Sequence, residues 1–283
     1  FLSPSHELNL PPAPPLDESQ NPYRGLQSFE EEHSQLFFGR KLLTEQLYQQ
    51  VCQHPFTVVL GASGTGKSSL VKAGLIPDIK KNHQQWHILE PMRPGEAPLK
   101  AVNNIFTESF LLDWIKKNPE SKVLLVIDQG EELLTLCRDN KERESFLNLL
   151  TNLLKKYTDN LRIVLIFRSD FESQLSNSSL EPYWYASRFI VPAMTREELR
   201  ACIEEPASAK VMYFEPPSLV DKLIDEVVQM PGALPLLSFT LSELYLLYLK
   251  SASVGTRSDR AIIHADYEEL GGVTRSLTQR ADR

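Results

Sequence analysis

An apolar run at residues 56–60 leads into Gly61-Ala62-Ser63-Gly64-Thr65-Gly66-Lys67-Ser68, and a helix-prone stretch follows at 69–75. The eight residues satisfy G-x-x-x-x-G-K-[ST] at every fixed position, between the strand and the helix that the pattern requires. Nothing else in the chain limits its fold so strongly. Glycines let consecutive backbone amides turn inward and approach a polyphosphate closely. The helix N-terminus behind them adds partial positive charge. Lys67 supplies a mobile cation for β- and γ-phosphates, and Ser68 a hydroxyl for Mg²⁺. Gly61, Ser63, Gly64, Thr65, Gly66, Lys67, Ser68 and Ser69 are therefore candidate nucleotide-binding residues.

Further apolar runs lie at 86–89, 123–127, 162–167 and 188–191. They are continuous rather than alternating, as strands buried on both faces are. Helical spacing at 101–116 and 141–156 separates them, which predicts an α/β fold with a parallel sheet flanked by helices. After Pro192 the strands stop. Thr195 and Glu198 form a capping-box pattern before a helix to 204, and further helices are expected at 218–230 and 235–250. Residues 1–21, with Pro11-Pro12-Ala13-Pro14-Pro15 at their centre, read as an extended linker after some upstream domain or, equally, as a disordered tail. The expected organisation is thus a linker (1–21), a P-loop domain (22–194), a helical lid subdomain (195–260) and the start of a new element (261–283).

Asp128 ends the 123–127 run, where a strand-terminal carboxylate downstream of the glycine loop holds Mg²⁺ through water. Glu131 and Glu132 follow. A carboxylate there can orient the attacking water or accept its proton; alternatively the pair is a solvated acidic turn. Spacing does not choose between the two glutamates, and Glu132 is preferred. Arg168 ends the 162–167 run, at the sheet edge that faces ligands in parallel folds, where it can contact the γ-phosphate or pair with Asp170 or Glu172. Asn140-Lys141-Glu142-Arg143 lacks the closing Asp of a guanine-reading NKxD element.

A net charge of −7 argues against nonspecific nucleic-acid or anionic-membrane binding. No apolar run reaches the length of a membrane span. Three scattered cysteines, Cys52, Cys137 and Cys202, form no CxxC and suit a reduced cytoplasmic setting. The expectation is no nucleic acid and no membrane.

These motifs, with Asn21-Pro22-Tyr23-Arg24-Gly25-Leu26, Phe37-Phe38-Gly39-Arg40, Asp128-Gln129-Gly130-Glu131-Glu132-Leu133, Arg168-Ser169-Asp170-Phe171, Glu205-Pro206-Ala207, Gly232-Ala233-Leu234-Pro235-Leu236-Leu237 and Gly271-Gly272-Val273, make the chain from Asn21 onward similar to the novel STAND family of P-loop NTPases. The resemblance implies a five-stranded sheet of order 5-1-4-3-2 and a winged-helix domain starting near Ala261. It implies that the Phe38–Arg40 segment lies against adenine with backbone groups reading the base, making Gly39 and Arg40 nucleotide-binding, and that Pro235 is the lid proline touching the nucleotide. It further implies a bacterial regulatory switch cycling between ATP and ADP with Mg²⁺. Hydrolysis would be slow, the module would self-associate, and an upstream effector and downstream sensor repeats would flank it. Many members of the family carry Phe at the position of Gly130, so a looser acidic turn is expected here. Two other readings are a scaffold that binds nucleotide without hydrolysis and a metabolic P-loop kinase, though no compact arginine lid stands between the fourth and fifth strands.

Overall fold

The computed structural model describes residues 16–82, 85–230, 232–255, 259–273 and 275. Five parallel strands form the main sheet: β1 (Phe56–Gly61), β2 (Trp86–Ile88), β3 (Lys122–Ile127), β4 (Leu161–Arg168) and β5 (Arg188–Ile190). Their order is β2-β3-β4-β1-β5, the expected 5-1-4-3-2 read from the opposite edge. Side chains alternate across the sheet. Val58, Leu125, Ile163 and Phe167 enter one apolar core, while Val59, Val126, Val164 and Ile166 enter the other. Burial on both faces explains why the strands read as continuous apolar runs. The register sets Gly61 beside Arg168 and Ile127 beside Leu165. The phosphate loop, Asp128 and Arg168 therefore leave the sheet along one edge.

The stretch expected as one helix at 101–116 is two, Pro98–Ile105 and Glu108–Lys117. Phe106 is extended between them, and the Thr107 hydroxyl caps the second by accepting from the Phe110 N–H. The helix after the phosphate loop runs through Lys67–Ser69, a π-helical stretch at Leu70–Leu75, and Ile76–Asn82. Gly74 sits inside the π-helical stretch, and a Cβ there would stand 2.8 Å from Thr44 Oγ1. The helix Lys41–Gln53 thus packs closely against it.

Beyond the sheet, the Thr195–Glu198 capping box opens the helix Arg196–Ser208, which continues through Pro206 past the expected end at 204. Ser218–Val228 and the lid helix Leu234–Ser253 follow. Ala261–Ile263 (β7), expected to open a winged-helix domain, pairs in parallel with Tyr213–Glu215 (β6). The helix His264–Leu270 then contributes Tyr267 and Leu270 to the same core as Ile203, Leu223 and Leu244. These residues complete the helical unit because their apolar side chains have that core to enter. The end of the segment read as linker joins it too. Tyr245 Oη donates to the Asp17 carbonyl (2.8 Å), Asn21 Nδ2 to Ser242 Oγ (2.9 Å) and Tyr23 Oη to the Ile203 carbonyl (2.6 Å). Pro11–Pro15 lie outside the described residues. Among the described residues no helix is long and apolar enough to cross a membrane.

Arg40 fastens the two units together. It is 3% exposed; Nη2 donates to the Pro192 carbonyl (2.7 Å) and Nη1 pairs with Glu198 Oε2 (3.2 Å). Arg40→Ala leaves both acceptors without this donor and is expected to cost about 2 kcal/mol of stability, measured by urea unfolding. A cost near zero would mean that the buried guanidinium merely offsets its own desolvation.

Candidate functional site

A cleft of about 700 Å³ opens at the carboxyl edge of the sheet. The phosphate loop forms its floor, residues 23–30 and 36–38 one wall, and the start of the lid helix the other. Gly64 and Gly66 adopt φ of 75° and 85°, the left-handed region that lets the loop curl. Ser63, Gly64, Gly66, Lys67, Ser68 and Ser69 line the cleft. Gly61 and Thr65 do not; with Ala62 they line a smaller hollow behind the loop. Thr65 Oγ1 donates to the Ala62 carbonyl (3.0 Å) and shapes the turn from behind. Lys67 Nζ donates to the Gly61 and Ala62 carbonyls (2.9 and 2.8 Å). Burial lowers its pKa, against the opposing pull of Glu131, Asp170 and Asp128.

Ser68 Oγ donates to Asp128 Oδ1 at 2.7 Å, and the Gln129 N–H donates to the same oxygen at 2.9 Å. Asp128 is 1% exposed. Lys72 Nζ lies 2.9 Å from Asp128 Oδ2, an ion-pair contact without a directed hydrogen bond, so Oδ2 keeps its acceptor capacity. A hydroxyl and a buried carboxylate with a spare lone pair are hard oxygen donors of the kind Mg²⁺ takes, and they fit that ion.

The two glutamates, of which the sequence reading preferred Glu132, diverge in the structure. Glu132 Oε2 accepts from the Gly95 N–H (3.0 Å), which turns it out of the cleft. Glu131 lines the cleft, and its Oε2 is buried without a hydrogen-bond partner. Desolvation raises its pKa above the usual carboxylate range, although Lys67 and Arg168 pull the other way. The turn that carries it is not loosened by Gly130. The Gly130 N–H donates to the Ile166 carbonyl (2.8 Å), and a Cβ there would stand 2.5 Å from Leu165 Cδ1. In this packing the missing side chain lets the turn press onto β4.

Arg168 lines the cleft and also pairs with Asp170, Nη2 to Oδ2 at 2.6 Å, with its guanidinium over the Phe171 ring. Of the two sequence readings, the pairing with Asp170 is the one present in the structure. The Arg40 side chain holds Glu198 and the Pro192 carbonyl and is not part of the cleft wall. Gly39, at φ +81°, packs on the Glu198 carbonyl and is likewise outside that wall; Phe37 and Phe38 line it instead. Pro235 lines the cleft. Asn140 and Arg143 bond each other at a helix start away from it.

Sequence reading missed Lys72, which reaches both Asp128 and Glu30 Oε1 (3.2 Å). Its spacing four residues after Ser68 was the available signal, since that interval repeats a helix face. It also gave no role to Arg24 or Ser238, which line the cleft.

The family profile of the novel STAND NTPases, type 1, matches residues 22–283. The chain belongs to this family. No curated protein sequence matches it. Among solved structures, the ORC1 protein of Aeropyrum pernix in complex with DNA aligns with a TM-score of 0.53 at 12% identity, over 83% of this chain and 66% of that one. The ORC2 protein of the same organism, in ADPNP and ADP complexes, aligns with a TM-score of 0.58 at 13% identity, over 85% and 68%. The chain thus spans about two thirds of each relative's length. At such identity the likeness is one of fold alone, and it agrees with this STAND NTPase's parallel sheet flanked by helices. The expectation of no nucleic acid does not stand: a protein of this fold was solved on DNA. Net charge over the whole chain therefore fails to exclude such a partner, because a local surface can differ from the sum.

Proposed function

We propose that this STAND NTPase binds ATP with Mg²⁺ in the cleft, hydrolyses it slowly, and uses the difference between ATP and ADP to set the position of its helical lid. The observation that supports this best is the direct meeting of lid and phosphate loop. A Cβ on Gly64 would stand 2.3 Å from the Gly232 carbonyl oxygen, and one on Gly232 would stand 2.8 Å from the Ser63 carbonyl oxygen. Backbone touches backbone, so a loop reshaped around a phosphate acts on the lid without an intermediary. The relative solved with both ADPNP and ADP is compatible with such a cycle.

In this reading Lys67 exchanges the Gly61 and Ala62 carbonyls for β- and γ-phosphate oxygens. Ser68 and Asp128 hold Mg²⁺, which when bound offsets negative charge on those oxygens. Glu131 Oε2 accepts the proton of a water whose oxygen attacks the γ-phosphorus as the bond to the β-bridging oxygen breaks. Arg168, neighbouring Glu131, meets charge on the γ-phosphoryl oxygens. A lid biased in this way requires unequal affinity of the two nucleotides for its two positions. Self-association, upstream effector and downstream sensor partners, and a cytoplasmic setting belong to the same proposal.

Hydrogen exchange across 232–241 tests it. Protection with ADP and faster exchange with ATP and Mg²⁺ are expected. Equal exchange in the two states would reject the switch while leaving nucleotide binding intact.

A further inference from the structure

Four buried side-chain polar atoms of this one cleft lack a hydrogen-bond partner: Asp128 Oδ2, Glu131 Oε2, Arg24 Nε and Ser238 Oγ. Buried polar groups in folded proteins are nearly always satisfied, so a cluster of exceptions marks where a ligand completes the bonding. The first two serve the phosphate chemistry proposed above. The other two have no part in it.

Their position follows from the lid helix. Leu234 Cδ1 lies 3.9 Å from where a Cβ on Gly66 would stand, so the helix begins over the phosphate loop. Ser238 is four residues on, about 6 Å along the axis. Ser242 is four further, where Asn21 bonds it and Gly25 packs on it. Arg24 therefore comes from a segment that crosses the helix some 12 Å beyond the phosphate loop. The cleft is also lined by the apolar Phe29, Phe37, Phe38, Met194, Leu237 and Leu241. Such a wall suits the faces of a base and leaves polar recognition to the two unpartnered groups.

Resting on the nucleotide reading above, we infer that Arg24 and Ser238 clamp the ribose of the bound nucleotide, by hydrogen bonds to its 2′- and 3′-hydroxyls. Arg24 Nη2 already donates to Gln27 Oε1 (2.6 Å), which orients the guanidinium and leaves Nε–H for an oxygen acceptor. The Ser238 hydroxyl can donate or accept, which matches a sugar hydroxyl. The clamp joins the 21–25 segment to the lid helix through the ligand.

Calorimetric titration of wild type, Arg24→Lys and Ser238→Ala with ATP, 2′,3′-dideoxy-ATP and inorganic tripolyphosphate tests this. Lysine retains the charge and loses the Nε donor. Each variant is expected to bind ATP about fivefold more weakly, with no further loss toward dideoxy-ATP and none toward tripolyphosphate. An equal loss toward tripolyphosphate would assign the groups to the phosphates instead, and unchanged ATP affinity would overturn the clamp. Wild-type binding of ATP and tripolyphosphate reports on the nucleotide reading separately, and melting curves of the variants confirm that they fold.

Discussion

Glu131→Gln is expected to slow single-turnover ATP hydrolysis by about 100-fold or more, with ATP binding retained. Glutamine keeps the shape and removes the base. The Glu131 Oε2 atom is buried, unpartnered and directed at the cleft, so no neighbouring group competes for the proton it would take. Glu132→Gln is the matched control. Its carboxylate is occupied by the Gly95 N–H, and an amide oxygen can hold the same bond, so hydrolysis should change little. A large loss in Glu132→Gln with none in Glu131→Gln would reverse the assignment. The pH profile carries the same information. Burial raises the Glu131 pKa, and the working form is deprotonated. Activity should therefore fall, as pH decreases, at a pH above the ordinary glutamate range. That limb should vanish from the residual activity of Glu131→Gln.

Lys67→Ala should weaken ATP binding by about 100-fold, because two charge-assisted contacts to phosphate oxygens are lost together. The loss reaches further than the ligand. Lys67 Nζ also satisfies the Gly61 and Ala62 carbonyls, so the variant loosens the loop that must curl. Lys67→Met retains the aliphatic stem but also lacks Nζ, so the melting temperature separates the two effects: a value near wild type with the same binding loss places the deficit on the phosphates. Filter binding or calorimetry with ATP and Mg²⁺ reads both variants. An affinity unchanged in both would remove the phosphate loop from the mechanism.

What the sequence made legible was local. The glycine loop, the strand ending at Asp128 and the Thr195–Glu198 cap each sit within a few residues, where spacing dictates geometry. The strand order came from the family resemblance, not from the run of apolar strands. What it concealed was settled by contacts between distant residues. Glu132 is held by an N–H at Gly95, and nothing near 132 announces that partner. Arg40 is drawn to Glu198 across 158 residues. Its motif directed attention to the nucleotide while its side chain fastens the lid. Gly130, read as a slack point, is tight because Leu165 fills the space beside it. The missed break at Thr107 was different in kind: a Thr followed by Glu is a capping signal that an apolar rhythm on both sides obscured.

The bonds from residues 17–23 to the helical unit, and the pairing of β6 with β7, have a mechanical consequence. The leading and trailing ends of the described chain are anchored in one body, and the sheet hangs between them as a loop of that body's path. Tension applied at either end would bear first on the helical body and reach the phosphate loop only through the few joints that cross to the sheet. If the helical body moves as proposed above, a tug from outside and a phosphate from within would compete for the same part, as two terminals of a relay share one armature.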